Sequence, residues 1–209
     1  MSRLVVILCH FLALSSIQAD VFVSKKQIGW DNDYPYYSLT IDTDQKVNLR
    51  KSIVLQEQRI NLDFESTIDA KLLLQPDMRS LVDTMAMNGE NCHSTTFATL
   101  SKRGTPGSLG DGNLYWLKNN FEVLPTSDDL HWGDVVGLAA RSQLTDYRLL
   151  VIHTATYLGT DKETGERMIL TKNGYRPSAY QIMALSDVKK LYRATKIYFY
   201  RVQSSFYNH

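Results

Sequence analysis

Residues 149–172 read LLVIHTATYLGTDKETGERMILTK, and this stretch decides what fold the chain can adopt. Its first ten residues are rich in aliphatic and β-branched side chains, which favour a strand, and Met168 to Lys172 carry the same signal. Between them lies a polar loop, Gly159 to Glu166, that contains Thr164-Gly165. The stretch therefore predicts an antiparallel hairpin whose first strand is central in a sheet.

Helix signals precede this hairpin. Apolar residues recur at steps of three and four between Met78 and Met85, which predicts a helix that ends at Asn88-Gly89. A second helix is expected to start within 91–100, and a third is expected over 114–121. Residues 101–113 hold several glycines and a proline, which is typical of a surface loop.

Strand signals dominate the remainder. Strands are expected at Asp134-Val135-Val136-Gly137 and over 196–202, and a short helix is expected from Ser186, as its N-cap, to Tyr192. Helices that come first and strands that follow indicate an α+β fold. Residues 20–75 look β-rich and form an expected N-terminal extension, which leaves 76–209 as the main domain.

The first 19 residues have the pattern of a secretory signal peptide. Arg3 supplies the positive end, Leu4 to Leu14 form an apolar run, and Ser15 to Ala19 provide a small and polar exit. We expect cleavage after Ala19 and a secreted or periplasmic protein. The apolar run is too short to span a bilayer, and we expect no stable membrane insertion.

The charge balance shows no electrostatic footprint for nucleic acid, and we expect no nucleic-acid partner. The chain has 23 basic and 22 acidic side chains, and the signal peptide removes one arginine and no acid. The mature chain therefore has no formal net charge and no basic excess for nucleic acid or an anionic membrane surface.

Cys92 is the one cysteine that remains after removal of the signal peptide, since the other is Cys9. It cannot form an internal disulfide, so burial and catalytic use are both open. Its position at the expected start of a helix places partial positive charge and free N–H groups beside the sulfur. These groups favour a thiolate and an oxyanion, which a nucleophile needs.

A thiol nucleophile also needs a base, and His153 is the candidate. It interrupts the aliphatic run of the strand predicted from residue 149 onward, where burial of an imidazole without a hydrogen-bond partner costs free energy. A structural histidine bonded to a backbone carbonyl is the alternative. His93 is adjacent to the thiol and points away from it on a helix, and His131 lies in an expected loop.

Three motifs in this order resemble the NlpC-type cell-wall peptidases, a family of papain-like cysteine hydrolases. They are Asn91-Cys92, then Trp132-Gly133-Asp134-Val135-Val136, then His153-Thr154-Ala155-Thr156-Tyr157-Leu158-Gly159. The resemblance spans roughly 91–175. It implies an α+β fold with a papain-like NlpC-type core, in which N-terminal helices pack on an antiparallel β-sheet.

The resemblance also implies a function. Cys92 would attack an amide or peptide bond to form a thioester, and His153 would move the proton, with the two side chains in hydrogen-bonding reach. A polar residue on the next strand would orient the imidazole, and we assign Asn173, with Thr171 as the alternative. The implied substrate is the peptide stem of peptidoglycan, with no cofactor and no metal.

Two other functions fit the same residues. The domain could be a catalytically inactive binding module, because many relatives carry histidine at the third position and this chain does not. It could also be an acyltransferase or a protein-modifying effector that uses the same Cys-His pair. The aromatic residues Tyr115, Trp116, Trp132 and Tyr175 are candidates to line a cleft.

Overall fold

The structure is a computed structural model. It describes residues 21–31, 33–42, 67–74, 76–84, 91–100, 121–127, 130–141, 149–174 and 178–202. The expected signal peptide (1–19) and the expected loop over 101–113 lie outside the described residues.

The described residues form nine strands, three α-helices and one 3-10 helix. The strands are β1 (Phe22–Asp31), β2 (Tyr34–Asp42), β3 (Thr67–Asp69), β4 (Phe121–Val123), β5 (Val135–Arg141), β6 (Leu149–Asp161), β7 (Arg167–Lys172), β8 (Tyr180–Ala184) and β9 (Lys196–Val202). The helices are α1 (Pro76–Leu81), α2 (Cys92–Leu100) and α3 (Leu185–Leu191), and the 3-10 helix is Ala70–Leu73.

All nine strands belong to one sheet. Its order is β1-β2-β8-β7-β6-β5-β9-β4, and β3 lies beside β2. The hairpin predicted from residues 149–172 is confirmed, because β6 pairs with β7 in antiparallel register, for example Tyr157 opposite Ile169. β6 is also the longest strand, with 13 residues, and pairs along its other edge with β5.

A parallel contact closes part of this sheet on itself. β1 pairs with β2 on one side and also with the end of β6, where Phe22 lies opposite Thr160 and Val23 opposite Asp161. The N–H of Thr160 donates to the carbonyl of Val21 at 2.8 Å. Strands β1, β2, β8, β7 and β6 therefore form a closed circuit.

Apolar side chains are buried on both faces of the central strands. Along β6, Tyr157 packs in one core cluster and Leu158 in the other, and along β7 Ile169 and Leu170 divide in the same way. Successive side chains of a strand point to opposite faces, so a strand covered on both sides reads as a continuous apolar run. This is why residues 149–172 alternate so weakly between apolar and polar side chains.

The α+β papain-like prediction is wrong. The described chain is mostly strand, with only three short helices in one large, mainly antiparallel sheet. Residues 21–42 supply β1 and β2 of the same sheet, where the prediction had a β-rich extension. Local periodicity cannot reveal the pairing of β1 with β6, because the paired residues are far apart in sequence.

Individual helices also differ from their predictions. The apolar repeat from Met78 yields α1, which ends at Leu81 because Val82 forms a bridge to Tyr180. The helix predicted over 114–121 reaches a described residue only at Phe121, which begins a strand. Ser186 is not the N-cap of α3: Ala184 occupies the cap, and the Ser186 hydroxyl donates to the Glu166 carboxylate.

The junction between β1 and β6 can be tested at Gly159. Its φ is +139°, and a Cβ there would lie 2.5 Å from the carbonyl oxygen of Val21. We expect Gly159→Ala to lower the free energy of unfolding by about 2–4 kcal/mol, measured by urea denaturation. Gly165→Ala is the matched control: φ is +69° with no atom within 4 Å, so only about 1 kcal/mol of strain is expected. Equal losses in both variants would show that the close approach of β1 does not matter.

Candidate active site

Cys92 is the first residue of α2, and the start of that helix is built by its neighbours. The Asn91 side chain accepts the N–H of Ser94 at 2.9 Å, and the Ser94 hydroxyl accepts the N–H of Asn91 at 2.9 Å. This reciprocal pair is a capping box, which satisfies N–H groups that have no partner inside the helix. The helix predicted to start within 91–100 is therefore confirmed, with Asn91 as its cap.

The polar residues after Cys92 do not make its surroundings open to water. Ser94, Thr95 and Thr96 are buried, and their hydroxyls donate to backbone carbonyls one turn earlier, as Thr96 does to Cys92 at 2.9 Å. Cys92 itself is only 6% exposed. The cysteine is therefore buried although its neighbours in sequence are polar, because helix carbonyls accept from their hydroxyls.

The thiol lies where β6 and β7 separate. Their paired residues end at Thr156 and Leu170, and α2 contacts both strands. The backbone N–H groups of Thr154, His93 and Cys92 itself lie near the sulfur and act to lower the pKa of the thiol. The sulfur is thus adjacent to the peptide that joins His153 to Thr154.

Two opposing effects act on the thiol. Burial raises the pKa of Cys92 above its ordinary value, and the N–H groups of Thr154, His93 and Cys92, together with the charge of Lys172, act to lower it. Burial dominates, so the thiol is protonated at neutral pH in this conformation. The N–H groups at the helix start act to lower the pKa of the thiol, as predicted, but burial raises it by more.

His153 is completely buried, and its ring is held from two sides. Nε2 lies 2.6 Å from the Thr171 hydroxyl, and the ring stacks on Tyr192 with centroids 4.0 Å apart. Nδ1 has no hydrogen-bond partner among the described residues. Burial, aided by the charge of His93, lowers the pKa of His153 to about 3, so the imidazole is neutral at pH 7.

The predicted nucleophile on α2 lies near the backbone that follows His153 on β6, but the two side chains form no hydrogen bond within the described structure. Nε2 of His153 is taken by Thr171, and Nδ1 is unpartnered. Because successive residues on a strand face opposite ways, His153 lies on the Tyr192 side and the Thr154 side chain on the other.

The residue that holds the imidazole is Thr171, not Asn173. The Asn173 amide donates to Asp31 at 3.3 Å and contacts the sulfur of Met183 at 3.2 Å. Its carbonyl oxygen is buried without a hydrogen-bond partner in the described chain. The structure therefore brings the alternative third residue to His153 and leaves the assigned one elsewhere.

Two residues of the site were missed from sequence. His93 was set aside as a base, yet its Nδ1 lies 2.9 Å from the Thr154 hydroxyl, on the strand next to the thiol. Lys172 is fully buried on β7 and its charge reaches the sulfur. A lysine in a strand ordinarily indicates an exposed face, so no local signal could have identified it.

Of the four aromatic residues proposed for a cleft, one falls in the described chain. Trp132 is half-buried and packs against the core cluster that contains Leu158. Tyr115, Trp116 and Tyr175 lie outside the described residues. His131 is half-buried, and its backbone N–H donates to Asp134 at 2.7 Å.

The described residues contain no group of three or more metal-ligating side chains. None of the helices described has the length and apolar character needed to cross a membrane. No protein-family model, curated protein or solved structure matches the chain.

Because His153 is buried as a neutral ring, we expect the free energy of unfolding to fall in acid. The unfolded chain takes up a proton on this imidazole below its ordinary pKa of 6.5, and the folded chain does so only near pH 3. The stability that this residue contributes is therefore fully present above pH 6.5 and is lost as the pH falls toward 3. Between pH 7 and pH 5 the free energy of unfolding should drop by about 2 kcal/mol through this residue alone.

Urea denaturation of His153→Gln at both pH values checks this expectation. The variant should lose about 2 kcal/mol less than the wild type across the interval, whatever its stability at pH 7. Gln27→Ala, at an exposed position with no titratable group, is the control and should retain the wild-type pH dependence. If wild type and His153→Gln show the same slope, the buried neutral imidazole is excluded.

Proposed function

We propose that the chain is an exported cysteine hydrolase that cleaves an amide or peptide bond, with Cys92 as nucleophile and His153 as base. One observation carries the proposal: His153 is fully buried, is oriented through Nε2 by Thr171, and keeps Nδ1 unpartnered among the described residues. An unpartnered nitrogen in a buried site costs free energy and is unusual unless another group uses it.

The chemistry follows from the two neutral groups. As the Cys92 sulfur attacks the substrate carbonyl, its proton moves to Nδ1 of His153 and the carbonyl oxygen becomes an oxyanion. The imidazolium then gives the proton to the leaving amine as the carbon–nitrogen bond breaks. Water, deprotonated by the same nitrogen, hydrolyses the thioester and restores the thiol.

The backbone N–H groups around the sulfur suit the oxyanion step. Those of Cys92, His93 and Thr154 lie near Sγ and act to lower the pKa of the thiol. N–H groups that are held in place before the reaction stabilise a developing negative charge more strongly than water does. Their position near Cys92 supports a nucleophile here over an inert buried thiol.

Side-chain movement is part of this proposal. The thiol and Nδ1 are not hydrogen-bonded within the described structure, and both groups are shielded from solvent. We infer that substrate binding opens the site and turns the imidazole toward the sulfur, since hydrogen bonds at a catalytic site often tighten only in the complex.

The proposed substrate class is the peptide stem of peptidoglycan. Two sequence features support it: the signal-peptide pattern of residues 1–19, which directs the chain out of the cytoplasm, and the three motifs that resemble NlpC-type peptidases. Export places the enzyme in the compartment that contains cell-wall peptides.

A catalytically inactive binding module is the second candidate, and burial favours it. Cys92 is 6% exposed and His153 is fully buried. Burial raises the pKa of the thiol and lowers that of the imidazole, so both groups favour their neutral forms. A module of this kind would bind cell-wall peptides without releasing fragments.

Replacement of the nucleophile separates these two functions. We expect the wild-type chain to release soluble peptide fragments from purified cell walls, and Cys92→Ala to lose this release by about a thousandfold or more. Mass spectrometry of the supernatant identifies the fragments and the bond that is cut.

The control for this experiment is Lys189→Ala, an exposed position on α3, which should release fragments at the wild-type rate. Equal release by Cys92→Ala and wild type would remove Cys92 as nucleophile. Binding of both proteins to sedimented walls without any release would favour the inactive module.

The third residue can be assigned by a pair of variants. Thr171→Val removes the hydroxyl 2.6 Å from Nε2 and keeps the shape of the side chain. We expect kcat to fall by about tenfold or more because the imidazole loses the group that orients it. Asn173→Ala should have a smaller effect, since Asn173 bonds to Asp31 and not to His153. The reverse order of effects would return this role to Asn173.

A further inference from the structure

Lys172 is an unusual residue for its position. It lies on β7, its side chain is fully buried, and it is the one lysine in this state among the described residues. Removal of an ammonium group from water costs several kcal/mol unless nearby groups compensate. A chain that keeps a lysine here therefore has a compensating interaction, and the candidate site is beside it.

The strand register places Lys172 next to the thiol. The last paired residues of β6 and β7 are Thr156 and Leu170, and Thr154 and Lys172 each lie two positions beyond. Residues two apart on a strand share a face, so Thr154 and Lys172 lie on the same side of the sheet. Helix α2 contacts both strands, and His93, which follows Cys92 on that helix, lies with Nδ1 2.9 Å from the Thr154 hydroxyl.

The ammonium is fixed to the same turn that holds the base. Lys172 Nζ donates to the carbonyl of Gly174 at 2.9 Å, and the N–H of Gly174 donates to the Tyr192 hydroxyl at 2.9 Å. The ring of Tyr192 stacks on His153. One turn after β7 thus positions a cation on one side of β6 and the imidazole on the other.

Among the described residues, the titratable groups that face the thiol come from α2, β6, the segment after α3 and β7. His93 follows Cys92 on α2, and its ring is bonded to β6 through Thr154. From β6 comes His153, which is neutral because burial lowers its pKa to about 3. Tyr192, after α3, is a neutral phenol because burial and the charge of Cys92 raise its pKa. Lys172, from β7, acts to lower the pKa of the thiol.

We propose that Lys172 is a positioning residue whose buried ammonium stabilises the thiolate of Cys92. The inference rests on the proposed function, in that a thiolate matters because it attacks a substrate. In cysteine hydrolases an imidazolium can provide this countercharge, but a completely buried His153 cannot carry a proton at rest. In this chain the countercharge and the proton acceptor are therefore two residues on opposite sides of β6.

Alkylation of Cys92 by iodoacetamide tests the proposal without any substrate. Only the thiolate reacts, so the rate at a given pH reports the fraction of ionised sulfur. Lys172→Met removes the charge and keeps the length of the side chain. We expect its alkylation at pH 8.5 to be about tenfold slower or more, with the pH midpoint moved upward by about one unit or more.

Three further variants complete the experiment. Lys172→Arg keeps the charge and should react at nearly the wild-type rate, and Lys26→Met, at an exposed position on β1, is the matched control. His93→Gln tests the neighbouring imidazole. Circular dichroism establishes that each variant is folded, and Lys172→Gln replaces Lys172→Met if the latter does not fold.

An unchanged midpoint in folded Lys172→Met, or a shift found only in His93→Gln, overturns the proposal. Failure of the proposed function gives a different result from failure of this inference. If only the proposed function is wrong, Cys92→Ala releases cell-wall fragments as wild type does, while the alkylation midpoint of Lys172→Met still moves upward. A slower alkylation of Lys172→Met together with normal reactivity of Lys172→Arg supports the ammonium as the countercharge.

Discussion

Strand β6 is hydrogen-bonded on both edges, and the rest of the described structure depends on that pairing. β5 lies along one edge, β7 along part of the other, and β1 joins in parallel at the end of the strand. Where β7 diverges, the N–H of Thr154 becomes available to the sulfur of Cys92. The point at which regular pairing stops is therefore also the point at which helix α2 begins.

Burial is the constraint that shapes the chemistry of this site. Loss of water raises the pKa of the Cys92 thiol and lowers that of His153, so neither group is charged in the resting fold. A neutral pair avoids the cost of two buried charges. The buried charge lies instead on Lys172, whose ammonium donates to the carbonyl of Gly174. In the proposed mechanism, proton transfer and charge stabilisation are therefore carried by different residues.

Parts of the fold were predictable because their signals are local. The hairpin of β6 and β7, the last strand and the start of α2 follow from short runs of residues and from the cap at Asn91. The sheet as a whole was not, since β1 reaches β6 only through pairing between distant segments. The side chain that bonds to His153 could not be read from the sequence for a related reason. Thr171 and Asn173 share a strand face, and only the rotamers of the folded chain decide which one meets His153.

The sequence by itself determined which chemistry is available. One cysteine at a helix start, one histidine within an aliphatic strand and the polar residues after β6 restrict the candidates for nucleophile, base and orienting group. Only the tertiary structure decided the charge of those groups. The pKa of a side chain depends on how much water the fold removes from it and on which charges the fold brings near. Lys172 shows this most clearly: an ordinary strand lysine in the sequence becomes a buried cation beside the sulfur once β6, β7 and α2 are packed together.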